Sequence, residues 1–408
     1  MSDTAAPVAT ASARDQFRRL AVLIATCFAD MIGFAMVLPI LPFYALDLKA
    51  SPFQIGIITA AFSAAQILSA PMWGRVSDKY GRRPALLIGL MGSAAAFVVF
   101  GLAHTLWLLF VSRLVQGAGG GTTGVANAYI ADSVEPADRA RALGWLSAAT
   151  SAGVMLGPVI GSVAAHWGRA MPGFVAAGLC LVNFVFAWRL LPESHTSRGG
   201  TALVRKPVWQ SAWQVVRHPT LQVSRLTWIY GVGMLAFASL TSVLALFLGA
   251  RFHVNATTIG PWFLYIGGLS VVMRTIFLGP IVDRIGETWA MRIGAMLLVI
   301  GLLLYPLASS IAMLALIMPL VPVGTALLFP SATSLMTRGA DREETGTVMG
   351  VAQTFGGVAR VAAPLMATAA FEVNIWFPFV LGAATVAVVT VMAFRVPVVP
   401  PRRKAIRA

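Results

Sequence analysis

Long apolar stretches recur along the whole chain and are separated by short polar segments. A helix needs about 20 mostly apolar residues to cross the hydrocarbon core of a bilayer. Counted at that length, the pattern predicts an all-α integral membrane protein with about twelve transmembrane helices. The predicted spans are residues 20–45, 55–73, 85–103, 106–131, 142–165, 171–191, 225–249, 259–282, 289–308, 311–336, 346–370 and 375–394.

The composition agrees with a lipid environment. Of the 408 residues, 58% are hydrophobic and 11% are charged, and the mean hydropathy is +0.80. Ordinary soluble domains carry about 25% charged residues, and a soluble fold this poor in charge would expose large apolar patches. Cys27 and Cys180 lie inside apolar runs, and the histidines show no metal-binding spacing. We therefore predict no disulfide framework, no metal site and no cofactor.

The distribution of basic residues predicts the orientation in the membrane. The formal net charge is +15, which in a soluble protein would suggest a nucleic-acid partner. If the N-terminus is cytoplasmic, 24 of the 30 basic residues fall on the cytoplasmic side, and the outer loops keep Lys49, Arg169 and Arg251. This bias is typical of membrane proteins. It predicts a multi-pass protein of the plasma membrane (bacterial inner membrane) with both termini cytoplasmic and no bound nucleic acid.

The two halves of the chain repeat each other. Asp78 and Asp283 occupy similar Gly-rich segments 205 residues apart, and Pro158 and Pro364 are 206 apart. The tripeptides Ala-Asp-Arg at 137–139 and 340–342 are 203 apart. Parallel repeats of this kind are typical of transporters whose substrate site lies between the halves. The predicted organisation is a cytoplasmic tail at 1–19, six-helix halves at 20–191 and 225–395, a cytoplasmic linker at 192–224 and a basic tail at 396–408.

The segment Gly-Arg-Val-Ser-Asp-Lys-Tyr-Gly-Arg-Arg-Pro at 74–84 carries the strongest motif. Its glycines permit a tight turn between two spans. The preference for basic residues in cytoplasmic loops would explain the cations of this segment. It explains neither the acid Asp78 nor the acid Asp283 at the equivalent position of the second half. A carboxylate near a helix N-terminus gains about 0.3–1 kcal/mol, which can bias two access states. The predicted gating-loop residues are Gly74, Asp78, Gly81, Arg82, Arg83, Asp283 and Arg284.

Asp30 is the only acid well inside a predicted span. It lies ten residues into the first span, or roughly 15 Å deep. A charged Asp at the centre of a bilayer costs about 2.5–3.5 kcal/mol, and such residues usually face a cavity on an ion or substrate path. The alternative is a protonated Asp30 bonded to a backbone carbonyl. Pro39 and Pro42 predict a kink in the same span.

Arg113 and Gln116 share one face of the fourth span, since they are three residues apart. Arg113 is a candidate counter-ion for Asp30 or for a substrate anion, and the alternative is that its side chain reaches the interface. Arg274 and Arg360 also lie in spans, and Glu372 lies near the outer end of one; none of the three has an assigned role. The predicted cavity residues are Phe34, Gln66, Gln116, Asn127 and Gln353.

Glycines at intervals of four residues predict close helix packing in two places. The fifth span carries Gly153, Gly157, Pro158 and Gly161, which indicates packing, with a hinge or a seal against leakage as the functional alternative. In the fourth span, residues 119–124 match Gly-x-Gly-x-x-Gly. No strand precedes this match and no acid follows at the required distance, so it predicts packing and not nucleotide binding.

These motifs resemble those of the major facilitator superfamily, and most closely those of its twelve-span drug–proton antiporters, including tetracycline exporters. Residues 74–83 are similar to the family's loop signature, and residues 153–161 to its antiporter motif. Asp30 and Arg113 match its first-helix and fourth-helix patterns. The resemblance implies the major facilitator fold, in which the counterpart of Asp78 locks one access state and that of Arg113 is tied to proton coupling.

The chain also departs from the tetracycline exporters. Those proteins carry a further acid in helix three, where this chain has Gly-Ser-Ala-Ala-Ala at 92–96, and a membrane histidine in the second half, which this chain lacks. The resemblance therefore implies proton antiport without assigning tetracycline as the substrate.

The favoured function is secondary active transport by proton-coupled efflux of a lipophilic small molecule or drug, with a cationic compound among the options. The alternative is a facilitator or importer of a metabolite, with Asp30 structural. A remote alternative is a non-transporting receptor or scaffold. No nucleophile–base pair indicates an enzyme, and no Gly-x-x-x-x-Gly-Lys-[Ser/Thr] motif indicates ATP hydrolysis. We expect a monomer that interacts with its substrate, protons and membrane lipid.

Overall fold

The computed structural model describes residues 13–135, 138–194, 208–219, 221–340 and 344–398, and these residues contain helices and no strand. Helices of the first half are α1 (Ala13–Val37), α2 (Leu41–Asp47), α3 (Pro52–Tyr80), α4 (Arg82–Gly101), α5 (Leu106–Gly119), α6 (Thr122–Ser133), α7 (Arg139–Ala165) and α8 (Met171–Leu190). Most of the tails predicted at 1–19 and 396–408, part of the 192–224 linker and part of the 137–139 and 340–342 repeat lie outside the described residues.

A short helix in the linker, α9 (Val208–Arg217), precedes the second half. That half contains α10 (Gln222–Phe252), α11 (Gly260–Val272), α12 (Leu278–Leu304), α13 (Ile311–Ile317), α14 (Leu320–Gly339), α15 (Thr345–Val373) and α16 (Phe377–Phe394). A π-helical segment, Met273–Phe277, joins α11 to α12.

The helix count confirms the predicted membrane architecture. In the described part of the chain, ten helical stretches are long and apolar enough to cross a membrane. One of them, Gly260–Leu307, has 48 residues and holds the predicted eighth and ninth spans, which meet at a turn at Gly286. The predicted fourth span is absent from the ten because it is divided between α5 and α6. With both corrections the number of crossings is about twelve, as predicted.

Two predicted spans are broken. In the first span, helix α1 ends at Val37 and α2 begins at Leu41. The kink expected from Pro39 is therefore confirmed. The fourth span is predicted as continuous over 106–131, and this is wrong: α5 ends at Gly119 and α6 begins at Thr122. Each glycine costs a helix about 1 kcal/mol relative to alanine, so three in a row make the break inexpensive.

The chain packs as two six-helix halves. In the first half α1 packs against α7 and α8, and α4 against α5 and α8; in the second, α12 packs against α14 and α16, and α10 against α15. The repeat extends to the backbone, because Gly81 and Gly286 both have positive φ, 104° and 81°. A residue without Cβ adopts such angles at little cost, and here each glycine ends the tight turn between two spans.

Candidate functional site

The two halves meet along two helix pairs, α3 with α15 and α7 with α11. Glu372 on α15 accepts a hydrogen bond of 2.9 Å from the backbone N–H of Phe53 in the first turn of α3. On the other pair, Ser162 on α7 donates a hydrogen bond of 2.5 Å to the carbonyl of Thr257, just before α11. We call this the closed end of the molecule, because hydrogen bonds join the halves here.

The opposite end carries the two gating loops, and we call it the open end. Gly74 and Gly279 face empty space there, since a Cβ built on either would meet no atom within 4 Å. Between α3 and α15, a close contact occurs near the middle of both helices, where Ile67 lies 3.1 Å from a Cβ built on Gly357. The contacts described here between α3 and α15 therefore lie at the closed end and near the middle of the two helices.

The break between α5 and α6 is stabilised by α3. A broken helix leaves backbone carbonyls without partners, which is costly inside a membrane, and three side chains of α3 donate hydrogen bonds to the last carbonyls of α5. These bonds are Gln66 Nε2 to Gly120 at 3.3 Å, Ser69 Oγ to Gly117 at 3.3 Å and Trp73 Nε1 to Ala118 at 2.5 Å. Of these donors only Gln66 is among the residues predicted from the sequence. Their spacing of three and four residues on one helix face was the available signal.

Asp30 lies beside this break. Its residue is 8% exposed, and its Oδ2 accepts a hydrogen bond of 2.9 Å from Oγ1 of Thr122, the first residue of α6. The unpaired N–H groups at a helix N-terminus favour negative charge. Asp30 is thus held by a hydroxyl and a helix end, not by the backbone carbonyl of the structural alternative. Thr122 is a candidate site residue that was not predicted from the sequence, and a threonine directly after three glycines was its only signal.

Arg113 does not pair with Asp30 in this structure. Its residue is 1% exposed, its Cζ lies 5.2 Å from the ring centroid of Phe100, and its Nε and Nη2 have no hydrogen-bond partner among the described residues. Nine residues separate Arg113 from Thr122, which corresponds to about 13 Å of helix. Gln116, one turn further, is 3% exposed and its Oε1 is also without a partner. Two buried polar groups on one face of α5 are therefore unsatisfied in this state.

The remaining predicted cavity residues lie on three helices. Phe34 on α1 packs against Phe62 of α3, with ring centroids 5.0 Å apart. Asn127 on α6 and Gln353 on α15 are both exposed, and Gln353 lies near the hydroxyl of Tyr230. Among the described residues, no hydrogen bond or ring contact joins Phe34, Asn127 and Gln353 to one another, and their assignment to one cavity stays a prediction.

The glycines of the predicted helix-five motif pack α7 onto α1. A Cβ built on Gly153, Gly157 or Gly161 would lie 2.7, 2.7 and 2.5 Å from the backbone oxygens of α1 residues 28, 32 and 36, respectively. The opposite face of α7 packs on α11, where the carbonyl of Pro158 lies 3.1 Å from a Cβ built on Gly260. The motif thus lies between a close contact within the first half and a contact between the halves.

The first gating loop is organised around Arg82. Its Nη1 forms an ion pair of 2.5 Å with Asp78 Oδ1, and its Nε one of 2.8 Å with Asp132 Oδ2. Arg83 donates a hydrogen bond to the carbonyl of Trp188. Glu193, which the sequence analysis missed, accepts hydrogen bonds of 2.9 and 3.1 Å from the backbone N–H groups of Arg82 and Arg83. Glu193 therefore caps the N-terminus of α4 from the end of the first half.

The second gating loop is followed by an ion pair of Glu287. Asp283 and Arg284 are exposed at the open end. The cross-helix ion pair joins Glu287 Oε1 to Nη2 of Arg338 at 2.9 Å, and Ser334 donates a hydrogen bond of 2.7 Å to the same oxygen. Glu287 and Arg338 were not selected from the sequence, because each resembles an ordinary charge at a membrane rim.

Two bundles of six spans, joined by hydrogen bonds at one end and holding a buried carboxylate and unsatisfied polar groups within the first bundle, define a polytopic membrane transporter. The family model of the Major Facilitator Superfamily matches residues 23–364, and the chain belongs to that family.

Comparisons with individual proteins agree with this assignment. The chain is 29% identical over 360 residues to the tetracycline resistance protein, class C, of Escherichia coli, which covers 87% of this chain and 90% of that protein. It is 26% identical over 382 residues to multidrug resistance protein 1 of Bacillus subtilis (strain 168), covering 90% and 94%. Its fold is similar to the crystal structure of a bacterial homolog to the human lysosomal transporter Spinster in an inward-facing and unoccupied conformation. That match has a TM-score of 0.78 with 14% identity over 94% of this chain and 97% of that one.

Proposed function

We propose that this transporter exports a lipophilic small molecule in exchange for protons, with Asp30 as the site of protonation. The observation that carries the proposal is the burial of Asp30 at the N-terminus of α6, hydrogen-bonded to Thr122. Support comes also from relatives named for resistance to tetracycline and to multiple drugs. An export pump needs a group that binds a proton on one side of the membrane and releases it on the other.

The surroundings of Asp30 supply opposing influences on its protonation. The hydroxyl of Thr122 and the N-terminus of α6 favour the carboxylate, whereas exclusion of water favours the neutral acid. Their balance depends on how α1 packs against α6. Movement between the two access states changes that packing, and proton binding is thereby coupled to the state of the transporter.

In this proposal Arg113 is unpaired in one access state and forms an ion pair in the other. A guanidinium with two unpaired nitrogens inside a membrane protein is energetically unfavourable. A second access state that supplies a hydrogen-bond acceptor would be stabilised by that interaction. The acceptor is either Asp30 or an anionic group of the substrate. The gating loops around Arg82 and Asp283 would close the open end in that second state.

The positive-inside bias assigns the open end to the cytoplasm, so the described state is inward-facing under this proposal. Single cysteines at Ser2, Gly199 and Arg403, which lie outside the described residues, should then be labelled from the cytoplasm and not from outside. Cys27 and Cys180 are buried and give a low background. Labelling of position 199 from outside would contradict the arrangement of the two halves.

The test of the function is uphill transport in proteoliposomes with an imposed proton gradient. The substrate is the compound to which expression of the chain gives the greatest resistance in a growth screen. Asp30→Asn resembles the protonated form permanently, so it should still exchange substrate down its gradient but fail to accumulate it. Asp47→Asn is the matched control, because Asp47 is exposed at the end of α2.

Two results would contradict the proposal. If Asp30→Asn accumulates substrate at the wild-type rate, Asp30 is not the coupling site. If the wild type itself moves substrate only down its gradient, a facilitator is the better description.

A further inference from the structure

The spans of the second half contain two arginines that the proposed mechanism does not use. Arg274 lies in the π-helical segment Met273–Phe277, and Arg360 lies near the middle of α15. In the described part of the chain neither forms an ion pair. The acids Glu287 and Glu372 of this half have other partners, Arg338 and the N–H group that begins α3.

Both arginines converge on Tyr230 of α10. A Cβ built on Gly356 would lie 3.1 Å from Cε1 of Tyr230 and 3.8 Å from Nη1 of Arg360, so the two side chains cover the same glycine. Arg360, Gln353 and Arg274 all lie near enough to the Tyr230 hydroxyl to influence it electrostatically. Four side chains from three spans therefore lie near one another.

This point borders the space between the halves. Tyr230 and Gln353 each lie eight residues after the start of their helices, α10 and α15, or about 12 Å into the membrane. Arg274 and Gln353 are exposed, whereas Tyr230 is 6% exposed. An arginine within a span cannot face hydrocarbon cheaply, so we infer that the exposed guanidinium of Arg274 faces the space between the halves. Ile67 of the first half completes the boundary beside Gly357.

The local backbone is unusual where Arg274 lies. A π-helical turn adds a residue to the helix and redirects the side chains within it, and such turns are frequent at functional sites. A hydrophobic wall stands next to the polar groups: Trp228 and Phe355 pack edge to face with centroids 5.1 Å apart, and Phe355 Cβ lies 3.1 Å from a Cβ built on Gly231. Polar donors and an apolar wall together are typical of a binding site for an amphipathic ligand.

The charges decide which ligand fits. Arg274 and Arg360 are cations, and Tyr230 and Gln353 are neutral. This group of four side chains is therefore net positive. A guanidinium binds a carboxylate through two parallel hydrogen bonds, and a tyrosine hydroxyl and a glutamine amide supply further donors.

We propose that Arg274, Arg360, Tyr230 and Gln353 form a binding site for the carboxylate of an amphipathic organic anion. This inference specifies the substrate class and in that respect rests on the proposed export function. It replaces the cationic option among the sequence expectations with an anionic substrate whose apolar part packs near Trp228 and Phe355.

The test is equilibrium dialysis of three probes that share one ring system and differ in charge: 1-naphthoate, 1-naphthalenemethanol and 1-naphthylmethylammonium. The full-length protein is held in nanodiscs, and binding to empty nanodiscs is subtracted. The wild type should bind 1-naphthoate at least ten-fold more tightly than the other two probes. Equal affinity for the three would overturn the site.

Substitutions then test whether the preference for 1-naphthoate depends on the proposed site. Arg274→Gln and Arg360→Gln should each weaken 1-naphthoate binding about ten-fold and leave binding of the neutral alcohol unchanged, which also shows that the variant is folded. Arg360→Lys and Tyr230→Phe should give smaller losses of the same selectivity, and they carry the test if a glutamine variant does not fold. Arg251→Gln, at the exposed end of α10, is the matched control and should bind as the wild type. If the Arg274 and Arg360 variants still prefer 1-naphthoate as strongly as the wild type, the proposal is overturned.

Dialysis needs no proton gradient, so the two proposals can fail separately. Uphill transport without any preference for 1-naphthoate would overturn the anion site and leave proton-coupled export standing. A preference for 1-naphthoate that depends on Arg274 and Arg360, without uphill transport, would support the site and contradict the export mechanism.

Discussion

Arg82 and Glu287 occupy equivalent positions in the two halves, 205 residues apart, and carry opposite charges. Arg82 pairs with Asp132 at 2.8 Å, and Glu287 pairs with Arg338 at 2.9 Å. The side chains of Arg82 and Glu287 are each 10% exposed, and those of their partners Asp132 and Arg338 are each 30% exposed. The same ion pair between neighbouring spans is therefore formed twice, with its polarity reversed.

Reversing the second pair should be tolerated. Glu287→Arg combined with Arg338→Glu gives the second half the polarity of the first, where Asp78 lies four residues before Arg82 just as Asp283 lies four residues before position 287. Glu287→Arg alone sets two guanidinium groups against each other, and an unpaired, largely buried charge is strongly destabilising. The single variant should lose most of its folded yield in size-exclusion chromatography, and the double variant should recover more than half. A double variant no better than the single one would contradict the equivalence.

Asp78→Asn should reduce transport strongly without reducing expression. The side chain of Asp78 is 65% exposed in the described state, and Arg82 keeps its second partner Asp132 when Asp78 is neutral. The loss should therefore fall on the second access state and not on folding. Transport and membrane abundance are measured together, with Lys79→Gln as the control in the same helical turn. Unchanged transport by a well-expressed Asp78→Asn variant would show that the loop sets only the orientation of the chain in the membrane and does not act as a gate.

Glu372→Gln should open the closed end more often. Glu372 accepts a hydrogen bond from the first turn of α3 in the other half, and a charged acceptor at a helix N-terminus is favourable. A cysteine introduced at Thr368, which is 1% exposed and packs against Gly56 across the interface, should then react a few-fold faster with an impermeant maleimide. The exposed Lys49→Cys should react at one rate in both backgrounds. Equal rates at position 368 would show that Glu372 does not hold this end.

Gly157→Ala should lower the thermal stability of the protein. The new Cβ would lie 2.7 Å from both Ala35 Cβ and the carbonyl oxygen of Ile32, so α1 must move away from α7. Overpacking of this kind typically costs about 1–3 kcal/mol, against a gain of about 1 kcal/mol in helix propensity. Gly144→Ala on the same helix meets no atom within 4 Å and should be neutral or stabilising. The apparent Tm of both variants in detergent decides the matter, and a stabilised Gly157→Ala would mean that the contact is not close.

Properties that depend on one residue and its solvent could be predicted without the structure. The transfer of an apolar run from water to lipid is a local free energy, so hydropathy predicts about twelve spans. The depth of Asp30 follows from its place in a span, and the repeat of Asp78 at Asp283 follows from counting. These features needed no knowledge of which helix packs against which.

Partners could not be predicted, because they depend on where helices break and which faces meet. The continuous fourth span was wrong, and the break in it brings Thr122 to Asp30 and the donors of α3 to the carbonyls of α5. Of the alternatives for Arg113, pairing with Asp30 is not seen in the described state, because about 13 Å of helix lies between Arg113 and Thr122, the partner of Asp30. The convergence of two arginines on Tyr230 joins residues up to 130 positions apart. Hydropathy alone determined which segments lie in the membrane, whereas the packing of those segments decided which buried charge meets which donor, since a hydrogen bond requires a distance near 3 Å that sequence spacing does not set.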